Sequence, residues 1–153
     1  MTIAGTSLEV IIASATAAFG AQVIKCGIYL AISRPVDFRT LVHTGGMPSS
    51  HSALVACIAT SVGLIEGFES IVFAVALGFA VIVMYDAAGL RRAAGKMAGI
   101  LNRITEDIYM ERQGQVPDRL RELLGHTPFE VIVGAFLGMT IAYVYHYKLT
   151  MGA

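Results

Sequence analysis

Charge is scarce in this sequence, and the little there is cancels. Asp, Glu, Lys and Arg make up 14% of 153 residues, with 11 basic and 11 acidic side chains and a formal net charge of zero. A zero balance removes any global electrostatic case for a nucleic-acid partner. Cysteine is nearly absent as well. Cys26 and Cys57 fall inside apolar runs at no spacing that suggests a metal site, so they read as reduced core residues. There is no cluster of carboxylates of the kind that binds a divalent cation, and neither metal nor cofactor is expected. The first residues lack the basic flank of a secretory signal, which predicts that the first apolar segment is retained as a helix.

What the chain has in abundance is apolar surface. Hydrophobic residues account for 56% of it and the mean hydropathy is +0.68, far from the mix of a soluble domain. The few charges are segregated, leaving apolar segments at Leu8 to Ser33, Ser52 to Ile65 (continuing to Gly67), Phe68 to Leu90, and Val131 to Tyr147. Each approaches the roughly 20 residues a helix needs to cross the hydrocarbon core, the second being the shortest. Only Glu66, Gly67 and Glu69 interrupt Ser49 to Gly89, so the two middle segments read as one hairpin. The expected fold is all-α: a single transmembrane domain over residues 1–153, a bundle of about four spanning helices with an added amphipathic helix. That helix is read from Leu90 to Gly114, where Met97, Ile100, Leu101, Ile104 and Ile108 recur at helical spacing opposite Arg92, Lys96, Arg103, Glu106 and Asp107. A second short helix is expected from Pro117-Asp118, with Gly125 as its stop.

Basic residues orient the bundle. The loop from Arg34 to Pro48 carries Arg34 and Arg39, and the loop from Glu66 to Glu69 carries none. The connection from Arg91 to Arg121 carries Arg91, Arg92, Lys96, Arg103, Arg112, Arg119 and Arg121. The positive-inside rule places the first and third connections in the cytoplasm and both termini outside, against the minor dissent of Lys148. The expected location is the plasma membrane of a prokaryote. Three polar clusters, Gly45 to His51, Asp86 to Arg92 and Gly125 to Glu130, are thereby brought to one cytoplasmic face.

Those clusters have the chemistry of an anion site. Gly45-Gly46-Met47-Pro48-Ser49-Ser50-His51 supplies a turn and a helix start whose first amides attract anions at the positive end of the dipole, beside an imidazole that titrates near neutrality. An ordinary N-capped membrane helix fits the same residues equally well. Gln22 and Lys25 share one face of the first helix. A lysine near the bilayer centre costs roughly 2.5–3.5 kcal/mol, which favours a polar cavity or counter-charge for Lys25 over simple snorkelling. Thr127-Pro128-Phe129-Glu130 reads as a capping box with proline at its first helical position, which would occupy Glu130. Asp86 pairs with Arg91 or Arg92, caps a helix end, or, like Gln22, helps to orient the site. His43 reads as a loop residue. His146, among Tyr143, Tyr145 and Tyr147, reads as part of an aromatic belt at the far interface. Gly95 and Gly99, and Gly134 and Gly138, have the spacing that lets helices approach closely, for which packing within one chain and homo-oligomerisation account equally.

Together, Gly45-Gly46-Met47-Pro48-Ser49-Ser50-His51-Ser52-Ala53, Asp86-Ala87-Ala88-Gly89 with Arg91-Arg92-Ala93-Ala94-Gly95-Lys96, and Gly125-His126-Thr127-Pro128 with Glu130 resemble the divergent type 2 phosphatidic acid phosphatase family, related to acid phosphatases and vanadium haloperoxidases. The likeness runs from about Leu8 to Tyr147. Against the wider superfamily the match is partial. Ser50 replaces a glycine in the Pro-Ser-Gly-His motif, Lys25 and Arg34-Pro35 are separated by eight residues instead of six, and Leu120 stands where an arginine precedes the histidine. The resemblance implies a metal-independent phosphatase acting on a phosphorylated lipid, phosphatidate-like or polyprenyl. It implies His126 as nucleophile, Glu130 as its orienting acid and His51 as proton donor. Lys25, Ser49, Ser50, Arg91, Arg92 and Lys96 would hold the phosphoryl oxygens. The alternative is a non-catalytic lipid-phosphate binder or transporter built on the same pocket.

Overall fold

The computed structural model describes residues 3–31, 46–111, 120 and 125–151. Its helices are α1 (Ser7–Ala31), α2 (Ser50–Glu66), α3 (Ile71–Ala88), α4 (Leu90–Glu111) and α5 (Pro128–Met151), with no strand among the described residues. The helices α1 and α5, and the α3 segment, are long and apolar enough to cross a membrane, whereas α2, at 17 residues, is shorter. The expected short helix at Pro117 lies outside the described residues, as do Arg34, Pro35, Arg39 and His43.

The short helix is the centre of the bundle. α2 packs against α1, α3 and α5, and α1 also touches α5. Its sequence explains this. Ser52, Ala53, Ala56, Cys57, Ala59, Ser61 and Gly63 are small and buried, so backbones approach on several sides at once. The opposing helices match it with Ala13, Ala17 and Ala21 on α1 and Gly134, Gly138 and Ala142 on α5. A Cβ on Gly134 would run into the Ser49 backbone, and one on Gly138 into the Ala53 carbonyl. These two glycines are spent on packing within the chain. Large side chains point outward instead: Ile71, Val75, Ile82 and Tyr85 on α3 and Phe19 on α1 are all well exposed, as suits a lipid-facing surface.

Caps fix where the helices begin. Ser49 caps α2, its Oγ accepting from the Ser52 amide at 3.4 Å, and Ser70 caps α3 in the same way from Phe73 at 3.1 Å. Between them the chain turns at Gly67, and Phe68 stacks edge-on against Phe73 at 5.1 Å. The α2–α3 hairpin expected from the interrupted apolar run is thus present.

α4 follows α3 after Gly89 and packs on it. It has three faces. Met97, Ile100, Leu101, Ile104 and Ile108 form an exposed apolar stripe, and Lys96, Arg103 and Asp107 an exposed charged one. Gly95, Ala98 and Asn102 are buried. The Asn102 amide holds the Leu120 backbone against the helix: its Nδ2 donates to the Leu120 carbonyl at 2.8 Å and its Oδ1 accepts from the Leu120 N–H at 2.9 Å.

Candidate functional site

Two helix starts and two helix ends meet at one end of the bundle. The Ser49 amide donates to the Glu130 carbonyl at 3.1 Å, which ties the start of α2 to the start of α5. The His126 amide donates to the Ala87 carbonyl at 3.0 Å, which ties the residue before α5 to the end of α3. Lys25 approaches from the last turns of α1. The polar clusters at Gly46 to His51, Asp86 to Ala88 and His126 to Glu130 are therefore neighbours in space.

His126 is the buried centre of this cluster, 3% exposed. Its Nδ1 lies 3.1 Å from Glu130 Oε2, and the ring also hydrogen-bonds the Gly46 backbone. Glu130 serves two partners with one oxygen: Oε2 also accepts the Thr127 N–H at 3.1 Å, while the Glu130 N–H donates to Thr127 Oγ1 at 3.3 Å. The capping box and the imidazole contact thus coexist. The box fixes the carboxylate, and the carboxylate fixes the ring. Burial pushes the His126 pKa below the usual histidine value. Glu130 and the Gly46 backbone oppose that shift, and the Lys25 charge adds to it.

Lys25 is 2% exposed and lies within electrostatic reach of both Glu130 and His126. Among the described residues it forms no ion pair within 4 Å, so its charge is directed at the cluster without being neutralised by direct contact.

The remaining sequence-selected residues are placed unequally. His51 is exposed in the first turn of α2, at the same end of the bundle as His126. Ser50 opens α2 and is half-buried. Ser49 differs from expectation. It is fully buried, its amide is committed to Glu130, and its Oγ accepts from Ser52 Oγ at 3.0 Å, because the close α2–α5 approach turns it inward. Its amide is therefore not among the groups open to an anion. Asp86 lies in the last turn of α3 beside Ala87, and Gln22 lies one turn from Lys25; both are partly buried. Lys96 is exposed on the charged side of α4. The side chains of Arg91 and Arg92 lie outside the described residues.

One neighbour escaped sequence reasoning. Tyr29 stands one turn after Lys25 on the same face of α1, with its hydroxyl against Gly46. The i, i+4 spacing from Lys25 is the signal that could have found it.

The model of a family described as the divergent PAP2 family matches residues 6–141. The uncharacterized membrane protein YuiD of Bacillus subtilis (strain 168) is 40% identical over 147 residues, covering 90% of this chain and 93% of that relative. No solved structure matches the chain.

Proposed function

The chain belongs to the divergent PAP2 family, and from that premise we propose that this membrane protein is a lipid-phosphate phosphatase whose site faces the cytoplasm. The observation that carries the reading is a buried imidazole oriented by Glu130, with the buried Lys25 charge within electrostatic reach of both. Burial favours the neutral form of His126, which is the state a nucleophile needs. The ring nitrogen that Glu130 does not hold attacks phosphorus, a P–N bond forms, and the P–O bond to the lipid breaks. Glu130 holds the other nitrogen and supports the positive charge that develops on the ring. His51, exposed in the first turn of α2, gives its proton to the departing alkoxide. Water then cleaves the phosphohistidine and releases inorganic phosphate. Lys25 and the Ser50 and His51 amides of α2 stabilise the phosphoryl oxygens, joined by Arg91 and Arg92 of α4.

Position 120 favours a second reading. Leu120 stands where the superfamily carries an arginine, and its backbone is committed to Asn102. A pocket with one cation fewer suits retention of a lipid phosphate without hydrolysis. Purified protein in detergent, given phosphatidate and polyprenyl phosphates, separates the two. Release of inorganic phosphate that vanadate inhibits is the expected result, since vanadate adopts the five-coordinate geometry of the transferring group. Saturable binding of those lipids with no release from any of them would overturn the enzyme reading in favour of the binder.

A further inference from the structure

Gly46 is the residue on which three chemically active side chains converge. Its φ is +82°, a conformation that L side chains rarely adopt. A Cβ built there would lie 2.6 Å from the Tyr29 hydroxyl oxygen and 3.3 Å from its ring Cζ, with Lys25 Cδ at 3.6 Å. The backbone of the same glycine hydrogen-bonds the His126 ring. Gly46 thus leaves room that any side chain would fill, and Tyr29 places its hydroxyl there. Tyr29 and Lys25 are four residues apart, about 6 Å along the axis of α1. They bracket the glycine from adjacent turns.

The proposed chemistry uses the ammonium and the imidazole and leaves the phenol without a task. A phosphoryl group has three non-bridging oxygens with several lone pairs, and a partly desolvated anion needs a donor for each. Lys25 is a single point charge. A phenol adds a fixed donor without adding charge, and it has only two side-chain torsions to order. We propose that the Tyr29 hydroxyl is a further phosphate-binding group of this site, donating its O–H to a non-bridging oxygen of the phosphoryl group that Lys25 neutralises. This rests on the reading of the site as a receptor for a phosphorylated lipid.

The test compares wild type, Tyr29→Phe, Gly46→Ala and the double variant as full-length protein in detergent. It measures orthovanadate affinity by calorimetry, kcat and KM on phosphatidate micelles, and unfolding temperature. Tyr29→Phe should weaken vanadate binding about tenfold and raise KM similarly, with kcat altered far less and the unfolding temperature unchanged. Gly46→Ala should act in the same direction. In the double variant its effect should shrink, because no hydroxyl remains to be displaced. Wild-type affinity and KM in Tyr29→Phe would overturn the proposal, and so would a variant that only loses thermal stability. Tyr29-dependent vanadate binding without turnover would support this inference while sinking the phosphatase reading. A wild-type protein that neither binds vanadate nor releases phosphate would overturn both.

Discussion

The α1–α5 pair carries an imidazole and a carboxylate at each of its ends, and the two pairs are built in opposite senses. At the site end the imidazole is the buried member: His126 is 3% exposed and Glu130 20%. At the other end the carboxylate is buried, with Glu9 1% exposed and His146 23%, and the contact is shorter, 2.7 Å from Nδ1 to Oε1. His126 and Glu130 are four residues apart on one stretch of chain, whereas Glu9 and His146 are 137 apart and join two helices. The other Glu9 oxygen accepts the Gly5 amide at 2.7 Å, so both oxygens of that carboxylate are committed. Between the ends, α1 presents Ala13, Ala17 and Ala21 in register with Glu9 and Lys25, a ladder about 24 Å long. On the proposed function, the same two functional groups serve as a reaction centre where the imidazole is sheltered, and as a strut where the acid is.

The largest effect should come from exchanging the two histidines for alanine. His126→Ala is expected to lower phosphate release by about 1,000-fold or more, with a modest change in unfolding temperature. His146→Ala should do the reverse. It leaves the Glu9 carboxylate buried without its cationic or donor partner, a loss of about 3 kcal/mol, while turnover per folded molecule stays within roughly threefold because the two ends are remote. The double replacement Glu9→Gln with His146→Gln should recover most of the stability, since two neutral amides can satisfy one another. Thermal unfolding in detergent, read beside phosphate release, checks both halves. Equal losses of turnover in His126→Ala and His146→Ala would erase the distinction between centre and strut.

A smaller effect is expected from weakening the orienting acid. Burial is the main reason the His126 pKa is low, and Glu130 acts against it. Glu130→Gln removes that opposition, so the pKa falls further and the neutral ring persists to lower pH. The acidic limb of kcat/KM, which in the native protein should lie below the ordinary histidine value of about 6.5, moves down again. Plateau turnover drops at the same time, by about 100-fold, because the tautomer is less firmly held. Folding has the matching sign. The folded-state pKa is depressed, so the unfolded chain binds the extra proton first and stability is lost as pH falls below about 6.5. A pH–rate profile of the variant displaced to higher pH would contradict this assignment of charges.

How much of this was legible in the sequence differs between the two ends. The site end was largely readable because its signals are local. Apolar runs locate the helices, Thr127 to Glu130 spells a capping box, and His126 and Glu130 stand one helical turn apart. The strut was not. Glu9 appears in the sequence as one acid inside a long apolar run, and His146 as one more polar ring among tyrosines; their contact joins residues 137 positions apart that no local period relates. The aromatic-belt reading of His146 therefore missed its partner. The inward turn of Ser49 was hidden for a different reason. It follows from main-chain contact with Glu130 and from the absent side chain at Gly134, and neither leaves a mark on the residue types around Ser49.

The smallest effect should come from Lys96, and it sharpens the contrast between a sheltered charge and an exposed one. Lys25 and Lys96 carry the same group, but Lys25 is 2% exposed at the cluster and Lys96 is exposed on the outer side of α4. Water and salt screen the second and not the first. Lys96→Ala should change kcat/KM less than about twofold at physiological ionic strength, and that change should vanish at high salt because it acts on the approach of an anionic lipid surface. Lys25→Ala, measured alongside, should retain its loss at every salt concentration. If Lys96→Ala instead lowered kcat by an order of magnitude with no salt dependence, α4 would have to fold over the site in the working enzyme, and its charged face would belong to the phosphate pocket.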